Sequence, residues 1–547
     1  MDEQEDEDLD VVVIGAGASG LIAARKLLAD SGSLRVALVE ARDRVGGRCF
    51  SDHGAGYVDA GHDRVRELCH EFGLPLYEVY DTGRCYIESL PGRVRHYRGT
   101  DIPSGQSIRT MLALGRIVNS IEVSTEALIR VDDLKGLSAE LAELDEYSLL
   151  DYLRSRTADE EAIETLNLAV LPVFGAPASA ISLLYFLFYC RSAGSLGRLL
   201  SVTNGAQAMR IGLGGFHELC KRLAAKLPAG VLRLDSPVLK LQHDGQAIKV
   251  LLQTGKRLHT RCVILALQPS LYERITFSPA LPDEKMNLCR AFRCSSSYAK
   301  ARLVYATPWW RELNCSGQLV SCKGPAAYFL DDVKPPGADP RTRYGLVAFI
   351  CDRVAAEVWR NAPDAAARGS LLGQQLFGVF KDTRCTDIVD YAEFDWDVEE
   401  FTAGCVPCLT AGGHFKAFSR VSDACWDGTL QFAGTEASTV SCGYVDGAIR
   451  SGDRAASAAL RSLGKSEKEA FAPPGQAAGT GRGQQAGSPG GDRPGPTRTP
   501  NSRGFVENFV FGRVISARAL RDAASRRRLQ LRTQTQGEPP VPAGSKT

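Results

Sequence analysis

This chain lacks an excess of either charge: 65 Lys and Arg face 64 Asp and Glu. Global charge therefore gives no reason to expect a nucleic acid or an acidic partner. No run of about 18 uncharged apolar residues occurs, so no transmembrane helix is expected. The opening MDEQEDEDLD is acidic where a secretory leader is basic and then apolar, so export is not expected either. No internal repeat is found. The 16 cysteines are scattered rather than set in a compact framework, and read as reduced thiols of an intracellular protein. What the chain does have is core material. With 44% apolar residues over 547 positions, a large fold of roughly three domains is expected.

The richest stretch is Asp10–Arg48, DVVVIGAGASGLIAARKLLADSGSLRVALVEARDRVGGR. Val11–Ile14 suits a buried parallel strand. Gly15, Gly17 and Gly20 follow at GxGxxG spacing, where the chain must turn into a helix. Gly15 permits the tight turn, Gly17 lets the backbone approach a pyrophosphate, and Gly20 lets the helix pack on the sheet. Arg35–Val39 reads as the second strand. Glu40 comes 20 residues after Gly20, where an acid accepts hydrogen bonds from a ribose hydroxyl. The pattern points to a bound adenine dinucleotide.

Further on, Asp145–Val170 and Ser182–Arg191 read as helices, Val231–Leu267 as β-rich, and Tyr344–Asp352 as a strand. Gly464–Arg503 is dense in Gly, Pro, Ser, Ala and Gln and reads as disordered linker. Residues 504–532 regain some apolar pattern beside Arg526–Arg528. They read as a mostly disordered basic tail, with weak membrane contact through a basic amphipathic helix as the alternative. A second glycine segment, LQFAGTEASTVSCGYVDGAIRSGDRAA (Leu430–Ala456), ends an apolar strand at Gly434 and starts a helix near Tyr444. Together with the N-terminal turn it suggests an α/β nucleotide domain interrupted by insertions.

The segments DVVVIGAGASG, VEARDRVGGR, LLSVTNGAQ, LDDVKP, FDWDVEEFTAGC and FAGTEASTVSCGYVDGA, in this order over roughly residues 8–463, resemble the flavin-containing amine oxidases. Within that family the chain is most similar to the monoamine oxidases. The resemblance implies FAD and a two-domain architecture like that of p-hydroxybenzoate hydroxylase. A discontinuous Rossmann-like FAD domain (8–75, 203–281 and 400–463) carries an inserted substrate domain of mixed sheet and helices (76–202 and 282–399), followed by the 464–547 tail. It implies oxidation of primary or secondary amines to aldehydes, with dioxygen reduced to hydrogen peroxide. Small amines and dioxygen are then the partners, and a homodimer is compatible with it. The apolar C-terminal anchor of monoamine oxidases is replaced here by the linker and arginine-bearing tail.

Position by position, the resemblance assigns Gly15, Gly17, Gly20, Glu40, Gly46, Gly47 and Arg48 to the ADP half of FAD. Val238 falls beside the adenine. Gly434, Thr435, Glu436 and Tyr444 fall near the ribityl chain and flavin ring. Lys300 matches a lysine that holds a water against the flavin, and Trp396 a tryptophan packed near it. Together with Tyr444 these are the candidate catalytic residues. Gln207 and Leu200 match substrate-cleft residues, alongside Val406 and Tyr444. No metal site and no acid/base pair stand out in the motifs.

Cys405 aligns with the cysteine that carries FAD through a thioether. Two readings of its residues stay open beside that one: an inert buried thiol, and a redox or half-zinc CxxC with Cys408. Two departures stand out. Val406 occupies the place of an aromatic-cage tyrosine. After Gly61 the chain passes straight to His62, where relatives continue through a Gly-aromatic-Val-Gly-Pro segment. A catalytically impaired scaffold acting by binding is the alternative these departures raise, and an oxidase of polyamines or amino acids is another.

Overall fold

The structure is a computed structural model that describes residues 6–50, 53–89, 92–98, 105–129, 143–203, 205–292, 298–335, 343–351 and 353–465. The tail beyond 465, with the linker and amphipathic readings, lies outside the described residues.

The apolar run after Asp10 forms the strand Glu7–Ile14. It is flanked in parallel by Val36–Val39 on one side and Arg257–Leu265 on the other. Leu232–Arg233 extends the sheet beyond Val36–Val39, and Leu430–Phe432 pairs in parallel with the end of Arg257–Leu265. Alternate side chains serve opposite cores, as a strand's two-residue period requires. Val11 and Val13 pack beneath the helices Ala18–Asp30 and Val445–Ser462. Val12 and Ile14 join Leu241, Val250, Tyr272 and Phe432 on the other face. Burial on both faces explains why this strand reads as a continuous apolar run.

The first and last helices touch almost backbone to backbone. A Cβ on Gly452 would come within 2.2 Å of the Ser19 carbonyl oxygen, so only glycine fits there. That contact brings residues at opposite ends of the fold to one place, at the C-terminal ends of the parallel strands. Binding there is the general rule for open α/β sheets.

A second sheet of seven strands holds Ala299–Tyr305, Tyr344–Ile350 and Asp390–Asp395 among others. Its neighbours are antiparallel except for Cys315–Ser321 beside Arg84–Ser89. Helices pack on it: Arg353–Arg360 and Ala365–Phe380 share one core with the sheet, and Glu160–Phe174 another. The fold is thus a Rossmann-like, largely parallel sheet, in which Ile248–Leu252 runs antiparallel, assembled from distant segments and joined to a mixed sheet with helices.

One element differs from the sequence expectation. Asp145–Val170 is two helices, Leu149–Arg156 and Glu160–Phe174. The break has a local cause: the Asp159 carboxylate accepts the Ala162 N–H at 3.0 Å and caps a new helix, with Glu160 and Glu161 in its first turn. Tyr344–Ile350 is a strand, and Ser182 caps the helix Leu183–Ser192. Among the described residues, no helix is long and apolar enough to cross a membrane.

Candidate active site

The glycine turn divides its labour clearly. Gly15 has φ +99°, and a Cβ there would meet the Ala266 carbonyl oxygen at 2.8 Å. A Cβ on Gly20 would lie 1.9 Å from the Gly15 carbonyl oxygen, so the helix packs on the turn only without one. A Cβ on Gly17 would meet nothing within 4 Å. Its open side faces a cleft that Gly15, Gly17, Ala18, Ser19 and Gly47 help line. No side chain caps the helix that starts there. Its first N–H groups and its dipole are therefore presented to whatever anion enters.

Glu40, 3% exposed, lines the same cleft. Its Oε2 accepts the Ala16 N–H at 2.7 Å and its Oε1 the Arg42 N–H at 3.1 Å. The guanidinium of Arg48 does not stand alone. It donates to both carboxylate oxygens of Glu436, at 2.6 and 3.2 Å. Burial works against the Arg48 charge, but Glu436 outweighs it and holds the group more firmly protonated. Thr435 donates its hydroxyl to the Tyr444 carbonyl at 2.8 Å, tying the strand end to the start of the last helix. An uncapped helix N-terminus, an open glycine face and a buried acid at the strand end suit an adenine dinucleotide. The residues present fit FAD.

Lys300, Trp396, Cys405, Val406 and Tyr444 line the cleft as well. Lys300 is buried in its strand; its Nζ donates to the Gly54 carbonyl at 2.7 Å and lies 4.9 Å from the centre of the Phe349 ring. Trp396 is fully buried and its indole N–H donates to the His53 carbonyl at 2.9 Å. Burial pushes the Cys405 thiol pKa up, while Arg48 and Lys300 pull it back. Cys408, three residues on, is buried in a different core from the one Cys405 packs against, and the two form no disulfide.

The short connection after Gly61 is closed by specific contacts. The His62 ring packs on Tyr444 with centroids 5.0 Å apart, and its Nδ1 accepts the Asp59 N–H at 3.0 Å. Burial lowers the His62 pKa, which favours the neutral ring this acceptor requires. The next helix, Asp63–Glu71, is tied to the last one. Asp446 accepts the Val65 N–H at 3.1 Å, and Arg450 bridges Asp446 and Asp63.

Not every singled-out residue reaches the cleft. Gly20 lies under the turn. Val238 starts a strand and packs against the sheet core, Leu200 packs on the helical core, and the Gln207 Oε1 accepts the Tyr328 hydroxyl at 3.2 Å. Conversely, Arg42, Gln268 and Thr402 line the cleft without having been singled out. Arg42 joins Glu40 to Glu399 at 2.9 Å and to Thr402 at 2.6 Å, and Gln268 donates to the Thr402 carbonyl. The only sequence signal was the proximity of Arg42 to Glu40.

The family model "flavin containing amine oxidoreductase" matches residues 18–460. The chain is 30% identical over 467 residues to "amine oxidase [flavin-containing] B" of Sus scrofa, covering 83% of this chain and 87% of the relative. It is 31% identical over 481 residues to the protein of that name from Mus musculus, with the same coverages. Among solved structures, wild-type putrescine oxidase bound to putrescine superposes with a TM-score of 0.74 at 26% identity, covering 84% of this chain and 100% of that one. Cyclohexylamine oxidase from Brevibacterium oxydans gives 0.73 at 25% identity, with the same coverages.

Proposed function

The chain belongs to the flavin-containing amine oxidoreductase family, and from that premise we propose which of its residues hold FAD and which meet the amine. It is an FAD-dependent oxidase: amines are oxidatively deaminated to aldehydes and dioxygen is reduced to hydrogen peroxide. What supports a residue-level reading is that one cleft joins the Gly15–Gly17 turn to Lys300, Trp396, Cys405 and Tyr444.

In this reading Gly17, Ala18, Ser19 and Gly47 hold the pyrophosphate, and Glu40 holds the adenosine ribose. Gly434, Thr435 and Tyr444 border the flavin. When bound, FAD supplies the two-electron acceptor for C–N oxidation and the means of passing those electrons to dioxygen. The protein's own share is positioning. A primary or secondary amine enters unprotonated beside Lys300 and Tyr444, and the buried Trp396 ring and the half-buried Tyr444 ring exclude water around it. Lys300, its Nζ held by the Gly54 carbonyl, lines the cleft at this end and places a positive charge beside the amine. No side-chain base is assigned, since an unprotonated amine needs none.

Cys405, facing the cleft beside Lys300 and Arg48, is the residue we propose to link FAD covalently. Flavin that remains with the protein through acid precipitation and denaturing gels supports the link; release of all of it refutes it. The amine reading is tested by peroxide release over a panel of arylalkyl amines, alkyl amines, polyamines and amino acids. Turnover of monoamines supports it, and peroxide from amino acids alone overturns it.

A further inference from the structure

We infer that Tyr298 is a specificity-determining wall at the amine end of the cleft, the ring against which the carbon skeleton of an arylalkyl amine lies. The inference rests on the placement of the amine beside Lys300 proposed above.

Strand geometry comes first. Tyr298 precedes Lys300 by two residues, and residues two apart in extended chain share a face. Both reach the lining of the cleft. The Tyr298 backbone is held on both sides: its carbonyl accepts the Trp396 N–H at 3.1 Å, and its N–H donates to the Asp397 carboxylate at 3.1 Å. The side chain is fixed at its far end as well. Its hydroxyl donates to the Pro172 carbonyl at 3.3 Å, in the helix Glu160–Phe174. The one polar atom of the ring is thus committed to the scaffold, and carbon surface is what remains for the cleft.

The surroundings are apolar and rigid. Tyr298 meets the Phe349 ring edge-on, centroids 6.4 Å apart at 74°, and Phe349 is the ring beneath the Lys300 ammonium. Tyr298, Trp396, Cys405 and Val406 belong to one apolar cluster. Next to Cys405 the chain offers only the small branched Val406, so Tyr298 and Trp396 supply the aromatic surface on that side. At 4% exposure Tyr298 lies in a water-poor place, where a ring contact discriminates most between substrates.

The test compares Tyr298→Val and Tyr298→Phe as flavin-loaded proteins, with benzylamine and propylamine as substrates. Calorimetric binding of 2-phenylethanol serves as a non-oxidisable aromatic probe. We expect Tyr298→Val to raise KM for benzylamine about tenfold and to weaken the probe equally, with KM for propylamine and kcat for both within about threefold. Tyr298→Phe keeps the ring and stays within about twofold of the parent throughout. Flavin content and melting temperature check that the variants are folded; if Tyr298→Val fails there, Tyr298→Leu, closer in volume, is read in its place. Equal effects on the two amines overturn the inference, as does Tyr298→Phe behaving like Tyr298→Val. A parent chain that oxidises amines while the Val variant keeps its selectivity overturns the inference alone. A parent inactive on every amine overturns the amine placement beneath it.

Discussion

Arg48 and Glu436, 388 positions apart, meet as a two-pronged ion pair at 2.6 and 3.2 Å. The pair staples the N-terminal glycine segment to the junction before the last helix. It also neutralises the guanidinium, so an anion entering the cleft is met chiefly by backbone N–H groups and a helix N-terminus.

Removing one partner therefore strands the other. Glu436, 2% exposed, accepts a charged donor that has no equivalent acceptor in place. Glu436→Ala is expected to lose about 3 kcal/mol in urea unfolding, and Arg48→Met with Glu436→Met to recover part of it. A single variant as stable as the parent would show that the staple carries no weight.

Two glycines of one motif should fail differently. Gly20→Ala places a carbon against the Gly15 carbonyl and should prevent the turn from closing, at more than about 3 kcal/mol. Gly17 has φ −71°, which any residue adopts, and its Cβ enters open space. Gly17→Ala should keep stability within about 0.5 kcal/mol while losing FAD affinity about tenfold or more. Melting curves and flavin content separate the two outcomes; equal flavin retention in Gly17→Ala would refute the pyrophosphate assignment.

Lys300→Met tests the amine end. Its methylene stem continues to fill the strand, so flavin content should not change, while kcat/KM for amines should fall about a hundredfold. Loss of flavin with unchanged turnover per flavin would move Lys300 to a purely structural part.

Stability should decline on the alkaline side. Burial raises the thiol pKa from 9.0 to about 11 for Cys69 and about 12 for Cys262, Cys289 and Cys385. A folded-state pKa above the unfolded value means stability present below pH 9 and lost as pH rises to about 12, because the unfolded chain releases these protons first. Urea midpoints measured under reductant should fall progressively above pH 9; a flat profile to pH 11 would contradict the burial of these thiols.

Much of the dinucleotide half was legible because its demands are local. A strand end, three glycines and an acid answer to one turn and one helix start, all within 40 residues. Glu436 and Arg48 were each legible in their glycine segments, yet their pairing was not, since no local pattern announces a contact across 388 positions. Gln268, Thr402 and the carbonyls of His53 and Gly54 escaped for the same reason: each acts through position after the chain returns. Resemblance located Gln207, Leu200 and Val238 along the chain, but direction depends on packing, and in this structure their side chains serve neighbouring cores or a tyrosine. The missed break at Thr157 was readable in principle, because Asp159-Glu160-Glu161 is a helix start written in acidic residues.

On the proposed function this cleft seats a working flavin despite the short passage from Gly61 to His62. The most direct measurement is the absorbance of the purified, FAD-supplemented chain before and after anaerobic addition of benzylamine. A yellow protein whose flavin band bleaches with amine and returns with air is the expected result. A colourless protein that takes up no FAD would contradict it.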